Sequence, residues 1–313
     1  AVVRLIAPLL QHKSIDPAVV VVDEAGQFAV SLCGGHQGGG DRLTQQIALQ
    51  LGATSVLTGA SAALGLPAID LLGAPLGWTR GTGDWTGVSA AIVRGEAVEV
   101  MQDAGSTLWQ QQFDWVDSAQ RKQEAEDSLH IVGRQLHPSS LQPPAARIWI
   151  SMTQRRFAEA ASPSPLPKVQ WHPRVLWVGV GCERGTAEAA IEAAIEGVFQ
   201  AQHLAQGAIA GIASIDLKAD EVGLLAVCQS RHLSLQTFTA EQLKSVPVPN
   251  PSPVVEQEVG TPSVAEAAAL LAAGEAGVLL AHKQVYKPEG QAGAVTVAVA
   301  IVLRDWYPRK VFS

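Results

Sequence analysis

Strand-length apolar runs alternate with helix-length amphipathic segments in the second half of the chain, and this rhythm constrains the fold most. The runs are VLWVGVG, IAGIASI and LSLQTF, and the segments between them are AEAAIEAAIEGVFQAQ and EVGLLAVCQSR. Alternating strands and helices fold as a parallel sheet with helices on its faces. We therefore predict a three-layer α/β/α domain over 173–304, to which GVLLAHKQVY and AVTVAVAIV add two antiparallel strands across the KPEGQAG turn.

The first part of the chain, 1–78, has a similar rhythm. The runs AVVVV and FAVSL flank the turn DEAGQ and precede the helical segment DRLTQQIALQLG and the strand TSVLTG. We predict a hairpin, then a helix that Asp41 caps and Gly52 ends, in a second three-layer domain with a partly parallel sheet. The chain begins at AVVRLIAPLL without a methionine, so we expect a truncated first domain or a segment of a longer polypeptide.

The middle of the chain, 79–165, reads as short strands and turns, with the polar stretch DSAQRKQEAEDS as a solvated helix or loop. The stretch ASPSPLPKVQWHPR is rich in proline, which resists both helix and central strand, so we predict a linker with a domain boundary at 165–172. The predicted fold class is α/β, with two three-layer α/β/α domains of parallel or mixed sheets and a smaller variable middle region.

Composition excludes several classes of function. A net charge of -7 without a basic stripe argues against nucleic-acid binding. No apolar run approaches the roughly 20 residues of a membrane helix. Three cysteines are too few and too widely spaced for a disulfide framework, which indicates a reducing compartment and favours the cytoplasm. The eight histidines form no i, i+4 pair, so we predict no protein metal site.

The stretch VGVGCERGT indicates a strand, a glycine-rich turn and a helix that Thr186 caps. Free N–H groups at a helix start attract anions, Gly181 and Gly185 allow close approach, and Arg184 adds a positive charge. The alternative is a tight turn whose glycines serve packing alone. Cys182 is a candidate nucleophile here, against the commoner role of a small buried hydrophobe. No phosphate-loop or dinucleotide motif is present, which disfavours a nucleotide or phosphosugar ligand.

The stretch ASIDLKADE gathers four charged residues after an apolar strand, where α/β sheets bind ligands. Strand alternation would place Asp216, Lys218 and Asp220 on one face. Lys218 could then bind a carboxylate, and Asp216 could orient it or accept a proton. The alternative is that Asp220 and Glu221 merely begin the next helix and favour its dipole.

The loop CGGHQGGGD, Cys33 to Asp41, contains one side chain suited to proton transfer near neutrality, His36. A lone histidine is more often structural or incidental, so that alternative stays open. Bare backbone on both sides of His36 leaves room for a broad ligand, at Gly34, Gly35, Gly38 and Gly39.

Several of these stretches, in order, resemble the CbiG family, the cobalt-precorrin-5A hydrolases of anaerobic-type cobalamin biosynthesis. The start resembles the family's amino-terminal domain. The segments GVGCERGT, ASIDLKADEVGLLA, FTAEQL, VGTPSVAEAAALLAAG, KQVY and VTVAVAI resemble its carboxy-terminal domain, which is also related to the protein CobE. The middle region resembles the variable central domain more weakly. Glu183 stands where the family more often has a basic residue, and Gly35, Gly40 and Asp41 replace its usual Ser, Ala and Asn.

The resemblance implies a reaction in which water opens the ring-A δ-lactone of cobalt-precorrin-5A and the two-carbon bridge leaves as acetaldehyde, giving cobalt-precorrin-5B. The cobalt arrives within the substrate, so no cofactor is expected. A fused or neighbouring precorrin methyltransferase and a second copy in a homodimer are the expected partners. The alternative is a non-catalytic tetrapyrrole-binding carrier that serves such a methyltransferase.

The resemblance also implies how the candidate residues divide their roles. His36 is the expected general base or acid, with Lys218 and Asp216 as the other catalytic groups. The two glycine-rich loops are expected to line a shared cleft between the domains. The residues expected to bind substrate are Gly34, Gly35, Gly38, Gly39, Gly181, Cys182, Arg184, Gly185, Thr186, Asp220, Glu221 and Ser263; the last is also predicted to cap a helix that Gly274 ends.

Overall fold

A computed structural model describes residues 2–11, 16–35, 38–59, 68–112, 134–135, 143–155, 166–287 and 293–302. The strands of this part of the chain form three sheets, which follow one another along the sequence at 19–57, 79–172 and 176–301. The predicted polar helix or loop DSAQRKQEAEDS and most of the KPEGQAG turn lie outside the described residues. His36, the predicted general base or acid, also lies outside them.

The first unit is a three-stranded sheet with a helix packed on it. Its elements are α1 (Val2–Ile6), a 3-10 helix (Ala7–Leu9), β1 (Val19–Val22), β2 (Phe28–Cys33), α2 (Gly40–Leu51) and β3 (Thr54–Leu57). β1 and β2 are antiparallel, whereas β2 and β3 are parallel, which confirms the hairpin and the partly parallel sheet. Helix α2 ends at Gly52 as predicted, but its N-cap is Gly39, and Asp41 lies in the first turn. Helix α2 packs on this sheet, mainly against β2 and β3.

The middle unit has a sheet and core of its own. Its elements are a 3-10 helix (Ala74–Leu76), β4 (Thr79–Gly83), α3 (Trp85–Val93), β5 (Val98–Gln102), a 3-10 helix (Leu108–Gln112), β6 (Arg134–Gln135), β7 (Ala146–Ile150) and β8 (Lys168–His172). The strand order is β4-β8-β7-β5-β6, and the neighbours β8, β7 and β5 are parallel. Trp78, Trp109 and Trp171 are buried in the core beneath α3.

Two predictions for this region are wrong. Turns were expected where α3 forms, and this helix begins because the Asp84 carboxylate accepts the Gly87 N–H at 2.8 Å. The predicted proline-rich linker contains β8, which pairs with both β4 and β7. Its five residues lie between Pro167 and Pro173 and include no proline, so their N–H groups remain available to the sheet.

The carboxy-terminal domain is the predicted three-layer structure. Its strands are β9 (Leu176–Cys182), β10 (Ile209–Ile215), β11 (Ser234–Phe238), β12 (Val278–Tyr286) and β13 (Val295–Ile301), in the order β11-β10-β9-β13-β12. Its α-helices are α4 (Glu188–Ala201), α5 (Val222–Ser230), α6 (Ala240–Lys244), α7 (Pro253–Val259) and α8 (Ala265–Ala273), with 3-10 helices at Gln206–Ala208 and Asp216–Lys218. β9, β10 and β11 are parallel, and β12 and β13 are antiparallel, as predicted.

Apolar side chains fill both faces of this sheet. Helices α4 and α5 bury residues such as Ile195 and Leu224 on one face, and α6 and α8 bury Leu243 and Ala267 on the other. Helix α8 lies very close to β9, since a Cβ at Gly179 would come within 1.8 Å of the Ala265 carbonyl oxygen. A glycine is therefore required at this crossing.

Two predicted helix caps in this domain are wrong. Helix α4 has Ala187 as its N-cap, and the Thr186 hydroxyl instead donates to the Glu183 carbonyl oxygen at 2.8 Å. Helix α8 has Val264 as its N-cap without a side-chain cap, so Ser263 does not cap it. The predicted end of α8 at Gly274 is confirmed.

Hydrogen bonds join the middle unit to the carboxy-terminal domain. The Ala205 N–H donates to the Met152 carbonyl oxygen at 2.8 Å, and the Thr79 hydroxyl donates to the Gly207 carbonyl oxygen at 2.6 Å. A cavity of about 1120 Å³ lies beside these contacts, with Arg80 and His172 among its lining residues. In the described ranges we find no helix with the length and apolar character needed to cross a membrane.

Candidate functional site

The site predicted in the carboxy-terminal domain lies where parallel strands end. The loops that follow β9 and β10 are neighbours, because these strands pair side by side in the same direction. Helices α4 and α5 begin directly after the loops, so their unpaired N–H groups point toward this edge. We call the two loops, Cys182–Thr186 and Asp216–Glu221, the carboxyl-edge site.

Glu221 joins the two loops of the carboxyl-edge site. Its side chain is 2% exposed, and its Oε1 accepts the Gly185 N–H at 2.9 Å. Its Oε2 lies 3.2 Å from Lys218 Nζ and 3.8 Å from Arg184 Nε. Glu221 is the N-cap residue of α5 but makes no side-chain cap there. It therefore does more than begin the helix, since its carboxylate fixes one loop against the other.

Arg184 and Asp220 form an exposed ion pair above this buried carboxylate. Arg184 Nη1 lies 2.5 Å from Asp220 Oδ1, and Nη2 donates to the Leu217 carbonyl oxygen at 2.8 Å. The hydrogen bond from Arg184 holds the pKa of the Asp220 carboxyl below its ordinary value. An anionic ligand that binds Arg184 must therefore compete with Asp220.

The predicted alternation of Asp216, Lys218 and Asp220 on one face is wrong. Asp216–Lys218 is a 3-10 helix, in which residues no longer alternate as they do along a strand. The Lys218 side chain turns inward to Glu221 and is 13% exposed, whereas Asp216 is exposed. The structure brings Lys218 into the ion-pair cluster and leaves Asp216 at the surface.

Cys182 lies at the end of β9 within the same site. Burial raises the pKa of its thiol, and this outweighs the opposing effects of the Lys218 charge and of the Thr186 hydrogen bond. The thiol is therefore the favoured form near neutrality, which argues against a nucleophilic role. Within the described ranges we find no cluster of three or more His, Cys, Asp or Glu side chains that could hold a metal ion.

Ser263 and Thr296 approach this edge from other elements. The Thr296 hydroxyl donates to the Gly181 carbonyl oxygen at 3.1 Å, and a Cβ at Gly181 would lie 2.6 Å from that hydroxyl. Ser263 is 2% exposed, and its Oγ has no hydrogen-bond partner in the part of the chain that the structure describes. Thr296 was not predicted, because its strand is distant in sequence.

Gly34 and Gly38 of the loop CGGHQGGGD pack against their own unit. A Cβ at Gly34 would lie 2.9 Å from the Ala18 Cα, and one at Gly38 would lie 2.8 Å from the Gly34 carbonyl oxygen. Gly39 has open space around it and a positive φ of 75°. Close internal packing therefore accounts for Gly34 and Gly38, and the cleft shared by both glycine-rich loops stays a prediction.

Sequence reasoning missed a polar cluster in the middle unit. Asp103, Ser151 and His172 lie at the carboxyl ends of the parallel strands β5, β7 and β8. The Ser151 hydroxyl donates to Asp103 Oδ2 at 2.8 Å, and His172 Nδ1 lies 2.8 Å from the Ser151 carbonyl oxygen. Burial raises the pKa of Asp103 and lowers that of His172. The strands VEVMQ, ARIWI and KVQWH mix polar with apolar residues, so the polar residue at the end of each did not stand out in the sequence.

Known families and relatives match nearly the whole chain. Family models match at 1–62 (cobalamin synthesis G N-terminal), 67–173 (cobalamin biosynthesis central region) and 176–300 (cobalamin synthesis G C-terminus). The cobalt-precorrin-5A hydrolase of Priestia megaterium is 32% identical over 97% of this chain and 77% of its own length. The enzyme of that name from Salmonella typhimurium is 31% identical over 86% of this chain and 72% of its own.

The carboxy-terminal domain has a further relative. Protein CobE of a Sinorhizobium species is 34% identical over 110 residues, which are 34% of this chain and 71% of that protein. Together, the family models match all three structural units in the order in which the sheets occur. The chain belongs to the cobalamin synthesis G family, CbiG, whose two curated members named above are cobalt-precorrin-5A hydrolases.

Proposed function

We propose that this chain hydrolyses cobalt-precorrin-5A. A water molecule adds to the carbonyl carbon of the ring-A δ-lactone, and the ester C–O bond breaks to leave a carboxyl and a hydroxyl group. The hydroxyl then loses its proton and becomes the carbonyl of acetaldehyde as the carbon–carbon bond to the macrocycle breaks. The electron pair left on the ring takes up a proton, which gives cobalt-precorrin-5B. Full-length similarity to two enzymes of this name supports the proposal.

The carboxyl-edge site is the proposed contact for the carboxylates of the substrate. The observation that carries this is the Glu221 bridge, which holds Arg184, Lys218 and the starts of α4 and α5 at one edge. Helix N-termini and charge-assisted hydrogen bonds both favour carboxylates. A substrate carboxylate would take the place of Asp220 on Arg184, since that ion pair is exposed.

As part of the proposal, His36 is the general base or acid, Lys218 binds a carboxylate of the substrate, and Asp216 orients a group or accepts a proton. Cobalt enters within the substrate, so the proposal includes no protein-bound cofactor. It places the reaction in the cytoplasm, because the three free cysteines suit a reducing compartment. A fused or neighbouring precorrin methyltransferase and a homodimer are the proposed partners.

The direct test is acetaldehyde release from cobalt-precorrin-5A by the purified protein, followed with an aldehyde-dependent dehydrogenase assay. The proposal expects one acetaldehyde for each cobalt-precorrin-5B formed. Tight binding of the tetrapyrrole without any acetaldehyde would contradict hydrolysis and favour the carrier function.

His36→Ala tests the proposed proton transfer. We expect it to abolish acetaldehyde release and to leave tetrapyrrole affinity within a few fold, because a general base acts on the reaction and not on ground-state binding. His232→Asn is the matched control, since His232 is exposed and its positive φ of 52° suits asparagine. Turnover that survives in His36→Ala would show that His36 is not the base.

A further inference from the structure

The contacts between the middle unit and the carboxy-terminal domain surround one buried side chain, His172. The Gln154 N–H donates to the His203 carbonyl oxygen at 2.8 Å, and the Thr79 hydroxyl donates to the Gly207 carbonyl oxygen at 2.6 Å. The same hydroxyl lies 3.4 Å from the His172 carbonyl oxygen. All five residues line the cavity between the two units. The hydrogen bonds that join the units and the imidazole of His172 therefore belong to one interface.

The imidazole of His172 is packed between the two units. A Cβ at Gly81 would lie 2.5 Å from its Nε2, and a Cβ at Gly207 would lie 3.4 Å from its Cδ2. Gly81 belongs to β4 of the middle unit, and Gly207 belongs to the 3-10 helix that precedes β10 in the carboxy-terminal domain. His172 itself is 3% exposed. The Nε2–Cδ2 edge of the ring therefore has backbone of both units against it.

The hydrogen bonds of His172 suit the neutral ring alone. Its Nδ1 lies 2.8 Å from the Ser151 carbonyl oxygen, which can only accept, so Nδ1 carries the proton. Its Nε2 is buried and has no hydrogen-bond partner among the described residues. A second proton would create a buried N–H group at Nε2 without an acceptor, which is costly. Protonation therefore favours any arrangement of the two units in which Nε2 reaches water.

The charged groups around His172 do not supply the acceptor that a protonated ring requires. The Asp103 carboxylate raises the pKa of His172, but burial lowers that pKa by more. Asp103 also lies 3.7 Å from Arg155 Nη2, which opposes its negative charge. The other charged or titratable residues that line the cavity are Arg80, Glu196 and His203. Within the part of the chain that the structure describes, no carboxylate accepts a hydrogen bond from Nε2.

We propose that His172 is a pH-sensitive latch between the middle unit and the carboxy-terminal domain. With the ring neutral, the two units stay docked around the cavity. When the ring gains a proton, the units separate along this interface until Nε2 reaches water. A histidine in water has a pKa of about 6.5, so opening takes up one proton as the pH drops below that value. The latch goes beyond the proposed hydrolysis and does not depend on it.

Hydrogen exchange of two amides that bond across the interface, those of Gln154 and Ala205, tests the latch. One proton taken up on opening should lower their protection factors by up to about tenfold between pH 7.5 and pH 5.5, after correction for the intrinsic exchange rate. His172→Asn should remove this dependence, because asparagine can still donate to the Ser151 carbonyl oxygen but does not titrate. Mass spectrometry or NMR gives the protection factors.

His203→Asn is the matched control. His203 lines the same cavity, but it is exposed, and its positive φ of 53° suits asparagine. We expect it to keep the full pH dependence. Thr79→Val removes the hydroxyl bond to the Gly207 carbonyl oxygen, so it should lower protection about fivefold at every pH and leave the pH dependence unchanged. His172→Gln is a second uncharged variant should asparagine disturb the fold, which circular dichroism verifies.

Three results would overturn the latch. The first is a change of less than about twofold in the parent between the two pH values, or a full pH dependence in the His172 variants. The second is loss of the dependence in His203→Asn, which would assign the proton to His203. The third concerns buried strands: amides such as those of Ile148 and Val178 should stay more protected than the interface amides at both pH values, and equal protection would show that the interface opens only by global unfolding.

Discussion

Glu221→Gln tests whether the buried carboxylate holds the two loops of the carboxyl-edge site together. Glutamine keeps the shape and can still accept the Gly185 N–H, but it leaves Lys218 without its counter-charge at 13% exposure. Removing one partner of a buried ion pair costs about 3 kcal/mol. For a domain of this size, that cost lowers the thermal midpoint by about 10 °C. Circular dichroism measures the midpoint, and hydrogen exchange of β9 and β10 confirms that the loss lies in this domain.

Asp220→Asn is the matched control for Glu221→Gln. It removes the same charge from the same loop, but Asp220 is 80% exposed, and exposed pairs contribute little to stability. We expect no resolvable shift in its midpoint. Lys218→Met added to Glu221→Gln should recover part of the loss, because it removes the uncompensated ammonium group. Equal midpoints for Glu221→Gln and Asp220→Asn would refute the bridging role of Glu221.

Two further predictions concern packing and pH. Gly179→Ala should prevent the carboxy-terminal domain from folding, because its Cβ would lie 1.8 Å from the Ala265 carbonyl oxygen. The control is Gly197→Ala in α4, which has open space around it and should be neutral or slightly stabilising. Soluble yield and thermal midpoint check both, and a normally folded Gly179→Ala would contradict the close crossing. Burial lowers the pKa of His172, so the folded state keeps it neutral while the unfolded chain takes up a proton below pH of about 6.5. Its contribution to stability is therefore full above that pH and falls as the pH drops below it. His172→Asn should flatten this dependence in urea unfolding, and an unchanged slope would show that another group titrates.

The regular elements of the carboxy-terminal domain could be predicted because each carries its own local signal. Strand β9 is an apolar run of strand length, and α8 stops at Gly274, which has the positive φ that glycine favours. The hairpin around Asp23 follows the same logic, since its carboxylate accepts the N–H groups of Gln27 and Phe28. These features depend on residues that are close in sequence, so they can be predicted without knowledge of the tertiary structure.

The arrangement of the site could not be predicted because it depends on contacts between distant residues. The Glu221 carboxylate accepts the N–H of Gly185, which is 36 positions away in the sequence. No periodic pattern of residues indicates a hydrogen bond between such distant positions. Asp216–Lys218 continues an apolar strand in sequence, yet the chain turns there into a 3-10 helix. Strand β8 was missed because the stretch around it is rich in proline. The composition of the whole stretch favoured a linker, although the five residues of β8 include no proline.

The position of β9 at the centre of its sheet has a consequence for the order of folding. One edge of β9 pairs with β10, which follows soon after in the chain, but the other edge pairs with β13 from Ile301 back to Val295. During synthesis, the second edge of β9 stays unpaired until β13 has emerged, over 100 residues later. Contacts of such long range slow folding and leave a strand edge open to aggregation. A nascent chain stalled before β13 should therefore be a target for chaperones that recognise exposed apolar strands.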